Sequence, residues 1–382
     1  MEFAFTEEQQ MIRETAESFL ADVSTSAAIR AAMATETGYS PELWPRICSE
    51  LCFQSITIPE AHGGMGLGFV ELVAVMEQMG RYLLCAPYFS TVCLAGSALL
   101  LSGNEARQGE VFSKILEGGT ATLAFTATGK RGLEGITATF RKEQGKRVLN
   151  GNYRFVVDGH SADTLILSAR EEAAPQNIAL FVVPATTTGI CRSWVPTMDQ
   201  TRKLADIACN NVVLEEGSLL ADNAAALLEQ VLDLATICLA AEQMGGSQRL
   251  LDMTVAYTKE RVQFSRPIAS FQAIKHKAAD MMTKVEAARS GVYYAACIAQ
   301  EFLEGGPQAG ELAEAASIVK SHCSETYFQN AGDAIQLHGG VGFTWEYDVH
   351  LFFKRAKASE QFLGNASFHR ERLAALLLDR AV

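Results

Sequence analysis

The hydrophobic period of the chain changes twice along its length, and this limits the possible folds more than any other feature. From Glu8 to about Leu101 apolar residues recur at helical spacing. Thr6 serves as an N-cap with Glu8 and Gln9 behind it, followed by Met11, Ile12, Ala16 and Phe19. From Thr120 to about Leu214 the text breaks into short β runs at 122–126, 147–149, 154–157, 164–167, 179–183 and 212–214. Within it Asn150-Gly151 is the dipeptide of a tight hairpin, and Asp158-Gly159 marks another turn. Beyond Asp222 long helical stretches return, over 227–261, 272–304, 308–334 and 368–380, separated by Gly and Pro as in an antiparallel bundle. Helices, then strands, then helices, without an internal repeat, predict segregated layers and not a doubly wound sheet. The expected fold class is α+β and multi-domain: an N-terminal α-helical domain over 1–118, a middle antiparallel β domain over 119–222 and a C-terminal four-helix bundle over 223–382.

Composition narrows the function. With 382 residues, 48% of them hydrophobic, there is apolar material for two or three packed units. A net charge of −12 argues against nucleic acid, whose affinity comes chiefly from Lys and Arg on phosphate. The first residues carry neither a basic nor an apolar leader pattern, and no later run is long enough for a bilayer, so a cytoplasmic protein without membrane contact is expected. Nine cysteines lie mostly in apolar segments (Cys93, Cys191, Cys238, Cys297) without a CxxC pair, which predicts buried free thiols and no metal.

Three segments carry chemistry. Arg261, Phe264 and Gln272 fall across a helix end, a tight turn and the head of the next helix. An arginine fork pairs with phosphate, an aromatic lies against a heterocycle, and an amide satisfies a ring edge. Gln336-Leu337-His338-Gly339-Gly340-Val341-Gly342-Phe343 is a glycine-rich break, where backbone amides approach a ligand with no Cβ in the way. Pro59-Glu60 with Gly63, Gly64 and Gly66 is an earlier break, which on its own reads as a connector.

In this order the segments resemble the acyl-CoA dehydrogenase family, with its R-x-x-F-G-x-x-I-x-x-x-Q, Q-x-x-G-G-x-G-F and P-E-x-x-G-G-x-G patterns, over nearly the whole chain. The resemblance implies FAD. Arg261, Phe264, Gln272, Gln336, Gly339 and Gly340 would hold its adenine and pyrophosphate half, shared between subunits. The flavin ring would lie near Phe125, Thr126, Phe155 and Val157. It also implies the reaction: a carboxylate takes the α proton of an acyl-CoA, a hydride passes from the β carbon to flavin, and a 2-enoyl thioester results. The acceptor would be an electron-transfer flavoprotein or another carrier, and the partner a second copy or a related acyl-CoA dehydrogenase subunit.

Glutamate in an apolar pocket suits the base, because burial raises its pKa toward the working pH. The family's two base positions fall on Leu363, within Phe362-Leu363-Gly364, and on Ala235, and neither is acidic. Glu360, Glu242 and Asp158 are the substitutes within reach, against ion pairs for the first two and a turn for the third. Other positions depart as well: the T-E-P-x-x-G-S-D loop reads Thr126-Ala127-Thr128-Gly129-Lys130-Arg131-Gly132, and W-I-T reads Phe155-Val156-Val157. The text from Leu337 to Glu371 is similar to subunits of two-component (α2β2) enzymes that shorten sterol side chains, in which one chain supplies the base and the other completes the FAD site.

The leading expectation is an FAD-dependent α,β-dehydrogenation of an acyl-CoA within an oligomer. The alternatives are a base-lacking subunit of a heteromeric enzyme, a degenerate acyl-CoA-binding scaffold, and a flavin enzyme of altered chemistry such as an oxygenase. Among lesser positions, Lys130 and Arg131 read as an exposed basic turn or a phosphate contact, and Lys354, Arg355 and Lys357 as a solvated helix face. His338 reads as an FAD contact or a backbone partner, His276 and His350 as structural, and Met76, Met79, Met244, Met253, Met281 and Met282 as core or acyl-pocket lining.

Overall fold

The computed structural model describes residues 5–143 and 145–379. Its helices are α1 (Glu7–Val23), α2 (Ser26–Ala34), α3 (Leu43–Arg46), α4 (Phe69–Arg81), α5 (Ser97–Ser102), α6 (Glu105–Leu116), α7 (Ala225–Glu260), α8 (Gln272–Glu304), α9 (Leu312–His338), α10 (Val349–Gln361) and α11 (Ala366–Asp379). The strands are β1 (Ala121–Ala124), β2 (Thr139–Glu143), β3 (Lys146–Val157), β4 (Thr164–Glu171), β5 (Ala174–Pro184), β6 (Ile190–Val195), β7 (Leu204–Leu214) and β8 (Leu219–Ala221), followed by the two-residue β9 (Val262–Gln263) and β10 (Arg266–Pro267). A helical N-terminal domain, a central, mostly antiparallel sheet and a C-terminal helical domain follow one another. The outer ends of the expected first and last domains, 1–4 and 380–382, lie outside the described residues, and with them the expected helix end at Arg380. No helix among the described residues is long and apolar enough to cross a membrane.

The chain divides into two compact units, one of Met1–Ile29, Phe69–Leu84 and Thr236–Val382, the other of Arg30–Gly68 and Cys85–Ala235. In the first, α1 opens on a capping box in which Thr6 and Gln9 satisfy each other's backbone N–H. Helix α7 has no polar face over 231–247, where every residue is buried, as expected of a central helix. It meets α4 backbone to backbone: a Cβ on Gly80 would strike the carbonyl of Glu242, and one on Gly245 the carbonyl of Glu77. That approach encloses the Glu77 carboxylate, which accepts from Tyr293 Oη at 2.6 Å and from Arg13 at 3.3 Å and also pairs with Arg289. Burial and the neighbouring carboxylate raise the pKa of Tyr293. α9 packs on α8, α10 and α11.

The second unit is built on an eight-stranded sheet in the order β6-β7-β3-β2-β4-β5-β8, with β1 alongside β4. The pairings are antiparallel except β1 with β4 and β2 with β4, which run parallel. Its core face alternates along the strands, with Phe140 edge-on to Phe181 at 5.0 Å and Tyr153 donating to the Ser168 carbonyl at 2.8 Å. Asn150-Gly151 makes no hairpin, which corrects the expectation. It lies inside β3 at a register shift, where Asn150 Oδ1 accepts from Asn211 N–H at 2.7 Å and Asn211 adopts a left-handed φ of 49°. The dipeptide's readiness for positive φ is spent on a bulge.

Candidate functional site

The three ligand-type side chains after α7 stand on one short excursion. α7 ends at Glu260, and β9 and β10 pair across Phe264-Ser265, whose φ values of 51° and 62° make a tight left-handed turn; α8 starts at Gln272. Arg261 closes the base of the ribbon, its carbonyl accepting from Ile268 N–H at 2.8 Å. Phe264 is 88% exposed with the edge of Phe271 at 6.1 Å, and the Arg266 guanidinium covers Phe271 at 4.0 Å. The second segment ends α9: Gln336, Gly339 and Gly340 are exposed, and a Cβ on either glycine would meet nothing within 4 Å.

Tyr257 joins the two segments. Its ring stacks on His338 at 4.3 Å, and its hydroxyl donates to the His338 carbonyl at 3.3 Å. His338 is buried and its Nδ1–H donates to the Ala334 carbonyl at 2.7 Å, so of its two expected roles the structure shows the backbone partner. Burial lowers its pKa, opposed by that bond. An arginine fork, an exposed ring, two amides and an open glycine pair stand on two segments joined by the Tyr257–His338 contact, and their chemistry fits the nucleotide half of the FAD that the family patterns imply.

The ring-side positions lie at the end of β1 and of β3. Arg154 N–H donates to the Thr126 carbonyl at 2.9 Å and Thr122 Oγ1 to the Val157 carbonyl at 2.7 Å, so Phe125 and Thr126 are held beside Phe155 and Val157. The side chains of Phe125, Thr126 and Val157 are buried. Phe155, half-buried at a φ of 56°, carries the Arg154 guanidinium over its ring at 5.0 Å, and Gly129 packs so closely that a Cβ there would strike the ring. The basic turn differs from expectation. Lys130 is exposed, but Arg131 is buried against Asp233 at 2.6 Å, with Glu229 at 3.4 Å, and is not part of an exposed turn.

None of the base positions offers a free carboxylate. Leu363 is 1% exposed at a φ of 57°, and Ala235 is wholly buried in α7. Glu242 is bound to Arg355 at 2.9 Å in a buried pair, which also removes Arg355 from the solvated face expected of it. Glu360 pairs with Lys357 at 2.7 Å, and Asp158 accepts from Ser90 Oγ at 2.6 Å at a turn with φ 52°. Met282 and the thiols of Cys52 and Cys191 are exposed, against the expectation of burial.

Sequence reasoning missed Lys320. Its side chain is fully buried, and Nζ donates to Ser324 Oγ at 2.8 Å and to the carbonyls of Ser359 at 3.0 Å and Glu360 at 3.2 Å. The signal was present: Lys320 falls on the apolar stripe of α9 with Ala316, Cys323, Tyr327 and Ala331.

Residues 6–119 match the acyl-CoA dehydrogenase N-terminal domain and residues 225–378 the acyl-CoA dehydrogenase C-terminal domain. The chain is 34% identical to acyl-CoA dehydrogenase IpdE2 of Mycolicibacterium smegmatis, over 97% of this chain and 99% of that protein. Among solved structures it is similar to butyryl-CoA dehydrogenase from Megasphaera elsdenii (TM-score 0.89, 25% identity, 99% of this chain and 100% of that one). A two-chain steroid acyl-CoA dehydrogenase matches with a TM-score of 0.84 at 27% identity, over 98% of this chain and 99% of that one. The chain belongs to the acyl-CoA dehydrogenase family, FAD-dependent oxidoreductases that act on CH–CH bonds.

Proposed function

We propose that the chain is the flavin-site-completing subunit of a hetero-oligomeric acyl-CoA dehydrogenase acting on a bulky, steroid-like acyl-CoA, with a related chain supplying the proton-abstracting carboxylate. One observation carries this reading: Leu363 and Ala235 are apolar, and Glu242, Asp158 and Glu360 are each held by Arg355, Ser90 and Lys357. A base must reach the α proton, and a carboxylate already engaged by a buried guanidinium is neither free nor basic enough. The similarity to a two-chain steroid enzyme supports both the pairing and the substrate class.

In this reading Arg261 pairs with phosphate, the N–H at Gly340 donates to it where Gly339, its own N–H capping α9, leaves the approach open, Phe264 lies against the heterocycle, and Gln272 and Gln336 bond its polar edges. FAD, when bound, supplies the hydride acceptor. Segments 1–118, 119–222 and 223–382 are the proposed domains, the proposed site of action is the cytoplasm, and the proposed acceptor is an electron-transfer flavoprotein.

The test is the visible spectrum of the chain purified alone and co-purified with a related subunit, under anaerobic conditions, before and after fatty and steroidal acyl-CoA thioesters. Bleaching only in the co-purified sample is expected. A chain that bleaches alone overturns the proposal, and Glu360, Glu242 and Asp158 then become the residues to replace.

A further inference from the structure

Strand β3 breaks its alternation near its end. Tyr153 pairs with Ile207 of β7 and Val156 with Ala205, so Arg154 and Phe155 both stand opposite the single residue Asp206. Tyr153, Val156 and Ile207 belong to the sheet core, and the bulge therefore puts Arg154 and Phe155 together on the outer side, the first exposed and the second half-buried. Phe155 is the only non-glycine residue of β3 with a positive φ, 56°, a conformation disfavoured for a side chain of its bulk. Asp206 holds it from two directions. Its Oδ1 accepts from the Phe155 N–H at 3.3 Å, and its Oδ2 lies 3.4 Å from Nε of Arg154, whose guanidinium covers the Phe155 ring at 5.0 Å. Gly129 packs against the same ring, where a Cβ would come within 2.5 Å of it. The ion pair is not core filling: the Arg154 and Asp206 side chains are 52% and 36% exposed and line an open groove of about 480 Å³ with Asn152, Cys191 and Ser193. A pair so exposed contributes little to stability, yet it sits on the one strained backbone position of the strand.

We propose that Arg154 and Asp206 are positioning residues that clamp Phe155 in its left-handed bulge, so that its ring stands as a fixed wall beside the flavin. The inference rests on the reading that sets the flavin ring by Phe125, Thr126, Phe155 and Val157. Arg154 serves twice: its N–H ties β3 to the Thr126 carbonyl at 2.9 Å, and its side chain lies on the ring. Without Asp206 the guanidinium loses its counter-charge and the Phe155 N–H its acceptor, so nothing opposes relaxation of the strained φ and the ring swings away. Strain held by exposed groups, and not by packing, is released without unfolding the sheet.

The test uses the full chain co-purified with a related subunit and loaded with FAD, and reads the flavin fluorescence lifetime. Phe155→Trp puts an indole where the ring stands, and an indole in contact with an excited flavin quenches it by electron transfer. The lifetime should fall about fivefold in Phe155→Trp, and adding Asp206→Ala or Arg154→Met should lengthen it again about threefold. No quenching in Phe155→Trp, or no flavin bound by any form, overturns the placement of the flavin and the inference with it. Quenching that Asp206→Ala and Arg154→Met leave unchanged overturns the clamp alone. Should Phe155→Trp not load flavin while the parent does, amide exchange at Phe155 decides, read in Arg154→Met because Asp206 still offers its acceptor there. Protection lost tenfold at an unchanged unfolding midpoint supports the clamp. Unchanged protection, or a midpoint that drops as for a core substitution, overturns it.

Discussion

Lys320 is the side chain with the largest conflict between environment and charge. Three acceptors at 2.8, 3.0 and 3.2 Å suit an ammonium group, yet burial pushes its pKa from 10.5 down to about 7, with the nearby Cys323 and Glu360 raising it only in part. The Glu360 carboxylate is itself engaged by Lys357, and Ser324 and Gln243 bring no charge. The sign of the linkage follows. Between about 7 and 10.5 the unfolded chain binds a proton at this lysine that the folded chain does not. Stability therefore rises with pH across that window, by at most about 1.4 kcal/mol per unit, and is flat in this contribution below it. Denaturant titrations of the parent and Lys320→Met at intervals from pH 6.5 to 10 would read it: the parent's slope should exceed the variant's. Equal slopes would mean that the amine stays charged throughout.

At the scale of elements, the loop between β1 and β2 is fastened to α7 by the Arg131–Asp233 pair. Removing Asp233 leaves Arg131 the longer Glu229 contact at 3.4 Å, so Asp233→Ala should cost a little less than the ~3–5 kcal/mol of a fully broken buried pair. Amide exchange should accelerate most over 126–135, and a uniform loss over the whole chain would show that the pair does not fasten that loop in particular. Nothing in the text of Thr126 to Gly135 announces this contact, because a loop has no period and its partner lies about a hundred residues downstream. The long helices were legible for the opposite reason. α7 and α8 were placed within two residues of their ends by hydrophobic period and turn residues alone. β2, β6 and β8 went unread, and the parallel pairing of β1 with β4 has no local signature. The nucleotide-binding candidates could be named from the sequence because they form contiguous motifs. Arg355 and Lys320 were not legible, because each is defined by what another helix brings to it.

At the scale of the whole molecule, the described chain exposes large rings in and beside the two nucleotide-type segments: Phe264 at 88%, Phe343 at 71% and Trp345 at 62%. Exposed aromatic side chains of this size in one helical unit mark a surface that a partner or ligand covers. Coverage by a partner makes flavin retention depend on assembly, and assembly on concentration. Phe264→Ser tests this, because the ring contributes almost nothing to the isolated fold and its loss should change unfolding stability by less than about 0.5 kcal/mol. The flavin-to-protein ratio after gel filtration should nevertheless fall several-fold, and the parent should itself lose flavin on dilution as the sedimentation coefficient drops. If the variant keeps its flavin at every concentration, the exposed ring is incidental and the nucleotide is held within a single chain. The partner-dependent reading would then rest on the missing base alone.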